Sequence, residues 1–271
     1  MKKLVAAFFL FVACQQVMAQ STQSLKQGIT LLMPRTVDDE YPGTRGASVV
    51  WHPVQKKYYA AMAGNVQYPL AIFDATGRRV STDDLNCNAD VRGLWYNPKT
   101  KSVQGNSYNE GGWFEYSLDS KGIPTTTNTL MEGMNQPDAQ SVGTFNAAGD
   151  EVLFLDKGNV SLYTYKDAIS NTTVNIHWGM SKASADEVVS EETPEEYNGS
   201  SVIYTGIKGA ELGFLNIDKM QIELYNKKTG LLTKKLLLPD DAPVNAMFNF
   251  AYANGMYWLF DIEKRTWFAY K

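Results

Sequence analysis

GASVVWHPVQKKYYAAMA, residues 46–63, decides the fold. A short run of small and apolar residues ends on an aromatic, Trp51, a polar turn follows, and a second run opens seven positions later at Tyr58. Runs of four to eight residues rich in β-branched and aromatic types, bounded by turn residues, read as strands rather than helices. The same phrase returns as VRGLWYNPKTKSVQGNS (91–107), QSVGTFNAAGDEVLFLD (140–156), GSSVIYTGIKGAELGFLN (199–216) and NAMFNFAYANGMYWLFD (245–261), with anchors Tyr96, Phe145, Tyr204 and Phe250. After each second run comes a polar turn and a third run: LAIFD from Leu70, WFEYSL from Trp113, SLYTYK from Ser161, MQIELY from Met220 and TWFAYK from Thr266.

Successive anchors are 45, 49, 59 and 46 residues apart. Four-stranded propeller blades recur at about 40–50 residues, so the spacing predicts an all-β chain forming one β-propeller of five four-stranded blades. The wide interval carries an acidic insertion at 182–198, KASADEVVSEETPEEYN, which reads as a solvated loop with a capping box at Ser184 and Glu187. Turns such as Asp74–Gly77, Asp119–Gly122 and Lys227–Gly230 lead from third to weaker fourth strands, while the third unit has 166–171 in that place. The fifth unit ends after its third strand, and GITLLM (28–33) lies ahead of the first with no partner of its own. Placing GITLLM beside TWFAYK closes the ring and covers two strand edges. The propeller is thus expected over 26–271, with 20–25 a flexible lead. Six blades, with a degenerate one hidden in 160–200, is the alternative.

This pattern resembles the propeller superfamily in general, including kelch-type and periplasmic Tol-type propellers. The regular Trp-Asp and Gly-Gly blade signatures are absent, so the resemblance implies architecture and transfers no functional residue.

The ends and the composition set an address. Lys2 and Lys3, the apolar stretch 4–13 and Val17-Met18-Ala19 form a secretory signal of bacterial type over 1–19, cut after Ala19. Phe11-Val12-Ala13-Cys14 is the competing reading, a lipobox that would acylate Cys14 and anchor the chain to a membrane. Export to the periplasm or the exterior follows either way, and no later segment has the roughly 20 apolar residues of a spanning helix. With 25 Lys and Arg against 29 Asp and Glu, the net charge is −4, the wrong sign for a nucleic-acid partner. Cys87 alone remains beyond the leader; it has no disulfide partner and reads as a small buried hydrophobe.

Chemistry is sparse. His52 and His177 show no metal spacing, and nucleophile-elbow, phosphate-loop and dinucleotide motifs are absent. No metal and no cofactor are expected. The topology instead predicts a face, because loops leading into first strands and loops joining second to third strands share one end of the ring. Arg45, Asp90, Arg92, Gln140 and Asn245 come from the former, and Tyr108 and Trp113 flank one of the latter. These are the candidate ligand residues for a protein, glycan or small ligand, since aromatic faces supply area and polar groups orient it. The favoured function is a non-catalytic binding module, with a monomer as the default state.

The alternative is a carbohydrate-active hydrolase using Asp90, Asp138 and Glu110, similar in outline to five-bladed arabinan-cleaving enzymes with carboxylates at the channel mouth. Against it stands the commoner use of Asp before a strand as a turn cap. The leader makes its own forecast: exported protein should begin at Gln20, and an intact mass matching a chain that starts at acylated Cys14 would overturn that assignment.

Overall fold

The computed structural model describes residues 21–35, 45–182 and 195–271. The leader 1–19, Cys14 and most of the acidic insertion lie outside the described residues. The chain opens with β1 (Ser21–Ser24) and β2 (Gln27–Leu32). The first sheet is β3 (Arg45–His52), β4 (Lys57–Ala63) and β5 (Leu70–Asp74). The second is β6 (Val91–Asn97), β7 (Ser102–Ser107), β8 (Trp113–Leu118) and β9 (Pro124–Met131). The third is β10 (Thr144–Asn146), β11 (Glu151–Asp156), β12 (Asn159–Thr164) and β13 (Ser170–Val174). After β14 (His177–Ser181) comes the fourth, β15 (Ile203–Tyr204), β16 (Leu212–Asn216), β17 (Gln221–Tyr225) and β18 (Leu231–Leu237). The fifth is β19 (Phe250–Ala253), β20 (Met256–Asp261) and β21 (Thr266–Tyr270), with β2 on its outer edge. No α-helix occurs among the described residues, so none there is long and apolar enough to cross a membrane.

The consecutive strands of each blade form an antiparallel meander, and the first strands touch in the cyclic order β3, β6, β10, β15, β19 and back to β3. This is a five-bladed β-propeller; the six-blade alternative is set aside. Its closure is the expected one. Strand β2 runs antiparallel to β21, with Leu31 opposite Trp267, and Lys26 and Lys271 exchange backbone hydrogen bonds of 2.9 and 3.0 Å.

The core lies between neighbouring sheets. Trp258, Phe260 and Trp267 of the fifth sheet pack on Tyr58, Met62 and Phe73 of the first, and equivalent layers fill the other gaps. Glycines on inner strands permit the close approach. A Cβ on Gly93 would stand 2.3 Å from the Gly143 carbonyl oxygen of the next blade. Cys87 is fully buried, as read from the sequence, and burial pushes its thiol up to about 12, so it stays protonated and inert. His52 is also structural: it is 2% exposed, its Nε2 donates to the Lys101 carbonyl at 3.0 Å, and burial lowers its pKa.

Four expectations need correction. The lead expected to be flexible over 20–25 is held across its described residues 21–25, because β1 pairs in parallel with β18 and Leu25 is buried with its N–H bonded to the Leu237 carbonyl at 2.8 Å. The outer edge of the fourth sheet is shared by two parallel strands, β14 on the start of β18 and β1 on the remainder. The first sheet lacks a regular fourth strand: 78–86 meets β5 only through bonds such as Val80 N–H to the Ile72 carbonyl, since its Arg-Arg and Asp-Asp pairs offer no alternating face to bury. The acidic insertion ends early, as Tyr197 bridges Asn216 and Asn198 is fully buried. In the fifth blade the seven-residue spacing belongs to Ala251, opposite Trp258, while Phe250 faces Leu259. A tight Asn254-Gly255 turn, both residues at positive φ, shortens that hairpin.

Full burial of Leu31 and Met33 contributes about 1.5–3 kcal/mol each, against roughly 5–15 kcal/mol for a whole domain. Deleting 20–34 removes both and bares β21 and β18. The variant should elute as aggregate or melt far below the intact protein by circular dichroism; unchanged melting would show that the ring does not depend on its closure.

Candidate functional site

Antiparallel meanders bring the leading segments of β3, β6, β10, β15 and β19 to one end of the ring, together with the β7–β8 and equivalent loops. The inner strands do not pair with one another along their length, so their leading backbone groups need other partners. Asparagines from adjacent blades supply them. Asn106 on β7 accepts from Gly143 N–H at 3.0 Å and donates to the Ser141 carbonyl at 2.8 Å, joining the second blade to the third. Asn198 donates to the Asn245 and Phe248 carbonyls, both at 2.8 Å, joining the fourth to the fifth. Asn249 accepts from Gly46 N–H at 2.8 Å, joining the fifth to the first. Val142 N–H to the Ser200 carbonyl and Gly64 N–H to Asp90 Oδ1 span the remaining two boundaries.

Upon this ring stands a stack of alternating rings and guanidinium groups. Arg92 lies 4.6 Å from the Tyr108 ring centroid and 5.6 Å from that of Phe248, and Arg45 lies 5.9 Å from the same Phe248 ring. Arg92 is 4% exposed. Its Nη1 donates to Asp90 Oδ1 at 2.5 Å and its Nε to Gln140 Oε1 at 2.8 Å, so burial of the charge is compensated. Arg45 is exposed and makes no ion pair among the described residues, and Tyr108 is 41% exposed. The stack therefore has a neutralised centre and two accessible ends, one cationic and one aromatic.

Phe248 holds it together. Its φ of 53° and that of Asn249, 58°, lie in the left-handed region, unusual for a bulky residue. Most other positive-φ residues are at hairpin tips; these two lead into an inner strand. The conformation is fixed from both sides, with Phe248 N–H donating to Ser200 Oγ at 2.7 Å while its carbonyl accepts from Asn198. Backbone held in this way is a mark of functional positions as well as of tight packing.

Of the residues named from sequence, Arg45, Asp90, Arg92, Tyr108 and Gln140 come together here. Asn245 does not join them; it donates to the Pro243 and Phe260 carbonyls at 3.2 and 3.4 Å. Trp113 is a correction. It is 1% exposed and packs against Trp95, Phe154 and Tyr165, because its place at the start of β8 turns it into the gap between blades. Asp138 caps its own turn, accepting from Gln140 N–H at 2.8 Å, and Glu110 is exposed in the 3₁₀ turn Asn109–Gly111. Sequence reading misses Phe248, Asn249 and Asn106; for Asn106 the available signal is a pair of amides, Gln104 and Asn106, inside the strand SVQGNS. No cluster of three or more His, Cys, Asp or Glu that could hold a metal occurs among the described residues.

Comparison with solved structures agrees on architecture. The chain is similar to glutaminyl cyclase from Myxococcus xanthus, with a TM-score of 0.55 and 10% identity over 93% of this chain and 97% of that one. It is also similar to the β-propeller domain of Cps50 (Swd1) from Myceliophteria thermophila, with a TM-score of 0.45 and 11% identity over 90% and 99% of the two chains. No protein-family model and no curated protein sequence matches it. The likeness to the cyclase is one of fold. At these identities the residues of either neighbour say nothing about those of this chain.

The pair Asp90–Arg92 gives a direct check. Asp90→Ala leaves a nearly buried guanidinium without its carboxylate, which should cost about 3 kcal/mol in urea unfolding. A loss below about 1 kcal/mol, the range of exposed pairs, would show that Arg92 is not held by this bond.

Proposed function

We propose that the protein is an exported, non-catalytic binding module whose channel mouth takes a protein, glycan or small ligand. The observation that carries this reading is the Tyr108–Arg92–Phe248–Arg45 stack, rigid at its centre and accessible at its ends. Arg45 offers a planar fork of donors to a carboxylate or similar acceptor edge. Tyr108 offers a flat face that loses little entropy on contact, and preorganised Arg and Tyr are the side chains that dominate recognition surfaces. Export enters through the secretory signal in residues 1–19.

The hydrolase alternative has weaker support. A retaining or inverting pair needs one carboxyl group held protonated and another free to act. Asp90 is bonded to Arg92 and to Gly64 N–H, and Asp138 is engaged as a turn cap. Each carboxylate is thus engaged in holding its own surroundings, Asp90 between Arg92 and the first blade and Asp138 within its turn.

Because Arg92 is buried, the informative variants are Arg45→Ala and Tyr108→Ala. On a glycan array and in capture from envelope extract, each should weaken binding by about 1–3 kcal/mol without lowering the melting temperature. Lys56→Ala and Lys101→Ala, at hairpins on the opposite end, should bind as the parent does. Cleavage of any array glycan that disappears in Asp138→Asn would overturn the binding-module reading in favour of the hydrolase.

A further inference from the structure

A second site lies away from the mouth, where the ring closes. A groove of about 530 Å³ runs between the end of β2, the β20–β21 turn and the irregular outer edge of the first sheet. Its volume is that of a small-molecule pocket. Four cations line it, Arg35, Arg79, Lys264 and Arg265, against one carboxylate, Glu263. With Asp83 and Asp261 beside two of these cations, the groove still keeps a positive excess in a chain whose net charge is −4.

These cations differ in how firmly they are committed. Arg265 is 6% exposed, and its Nη2 donates to the Pro34 carbonyl at 2.7 Å, which fixes its guanidinium and the end of β2 together. Lys264 pairs with Asp261 at 2.9 Å. Arg79 pairs with Asp83, whose side chain is 73% exposed, an ion pair of the surface kind that yields readily to a better partner. Arg35 is exposed and makes no hydrogen bond or ion pair among the described residues. One fixed and two available guanidiniums around a single groove suit an oxyanion with several acceptor oxygens, each taking donors in pairs. The groove is larger than a free oxyanion requires, and Leu32 and Phe73 give it an apolar side for an organic body.

We propose that this seam binds a small phosphorylated or sulfated organic molecule, and that its binding fastens the closure of the ring. Arg35 follows β2, Arg79 belongs to the first blade, and Lys264 and Arg265 belong to the turn before β21. An anion held by all three segments bridges the closure strand to the two blades it joins. Only the closed ring assembles these groups, so ligand binds the folded state alone and raises the melting temperature in proportion to the logarithm of its concentration. Nothing in this inference depends on the channel mouth.

The test uses the full protein and glucose 6-phosphate as the probe, with glucose and orthophosphate alongside, at fixed ionic strength. Glucose 6-phosphate should give a saturable rise in melting temperature and a measurable binding isotherm; glucose should give neither. Arg35→Ala with Arg79→Ala should reduce the affinity at least tenfold, while the unliganded melting temperature stays close to the parent's. Should the double variant fold poorly, Arg35→Ala alone, at an exposed position, should still reduce it. An orthophosphate shift equal to that of the ester identifies the free oxyanion as the ligand; a shift with the ester alone shows that the organic body contributes. No saturable shift with either phosphate compound, or an equal one in the variants, or the same one with added sodium chloride, would overturn the proposal.

Discussion

The inner strands of a closed ring of sheets are each paired on one side only, and the backbone groups that lead into them face the channel. Left unsatisfied, each such group would cost about 1–3 kcal/mol. This chain answers with side chains from the neighbouring blade: Asn106 on Gly143, Asn198 on Phe248 and Asn249 on Gly46. The same bonds that satisfy the strands also fix how adjacent blades sit at the mouth. Rigidity there is therefore a consequence of backbone satisfaction, and the stack of Tyr108, Arg92, Phe248 and Arg45 inherits it.

Closure places a second demand on the chain. A ring made of consecutive meanders must be joined somewhere, and the N-terminal segment does it twice, β1 along the fourth blade and β2 along the fifth. Between them Leu25 is buried and Lys26 is bonded to Lys271. Two strands on two blades hold the seam more firmly than one, since opening it requires both edges to be bared together. The basic groove lies against this seam, so a ligand held there would span the segments that closure joins.

Much of this was legible in the sequence because strand periodicity and turn chemistry are local. The spacing from aromatic to second strand holds for Trp51 with Tyr58, Tyr96 with Val103 and Phe145 with Val152, each pair directly opposite in its sheet. The orphan run GITLLM had a partner for a reason visible in one dimension. What failed was decided in three. Trp113 stands beside a Gly-rich loop, yet the pleat turns it inward onto Trp95; no local rule distinguishes that from a surface aromatic. The run 21–24 is polar and short, and only the part of β18's edge that β14 leaves uncovered makes it a strand. Arg92 and Asp90 could be placed at the mouth, but that they neutralise one another required their geometry.

Arg92 and Arg45, alike as mouth residues in the sequence, play two different roles. A buried arginine held by a carboxylate and an amide is an element of the fold, and its removal would leave Asp90 partly buried without a counter-charge. Loss of binding after such a change would report on the mouth's integrity, not on contact with a ligand. Arg45 shares the Phe248 ring with Arg92 but none of its hydrogen bonds. It is cationic, solvent-facing and held in place by a ring that is itself locked in the left-handed region. A residue with that combination can meet an incoming acceptor at small entropic cost without the fold depending on it. Within this stack the two arginines thus divide the work by burial: one supports the surface and the other remains available at it.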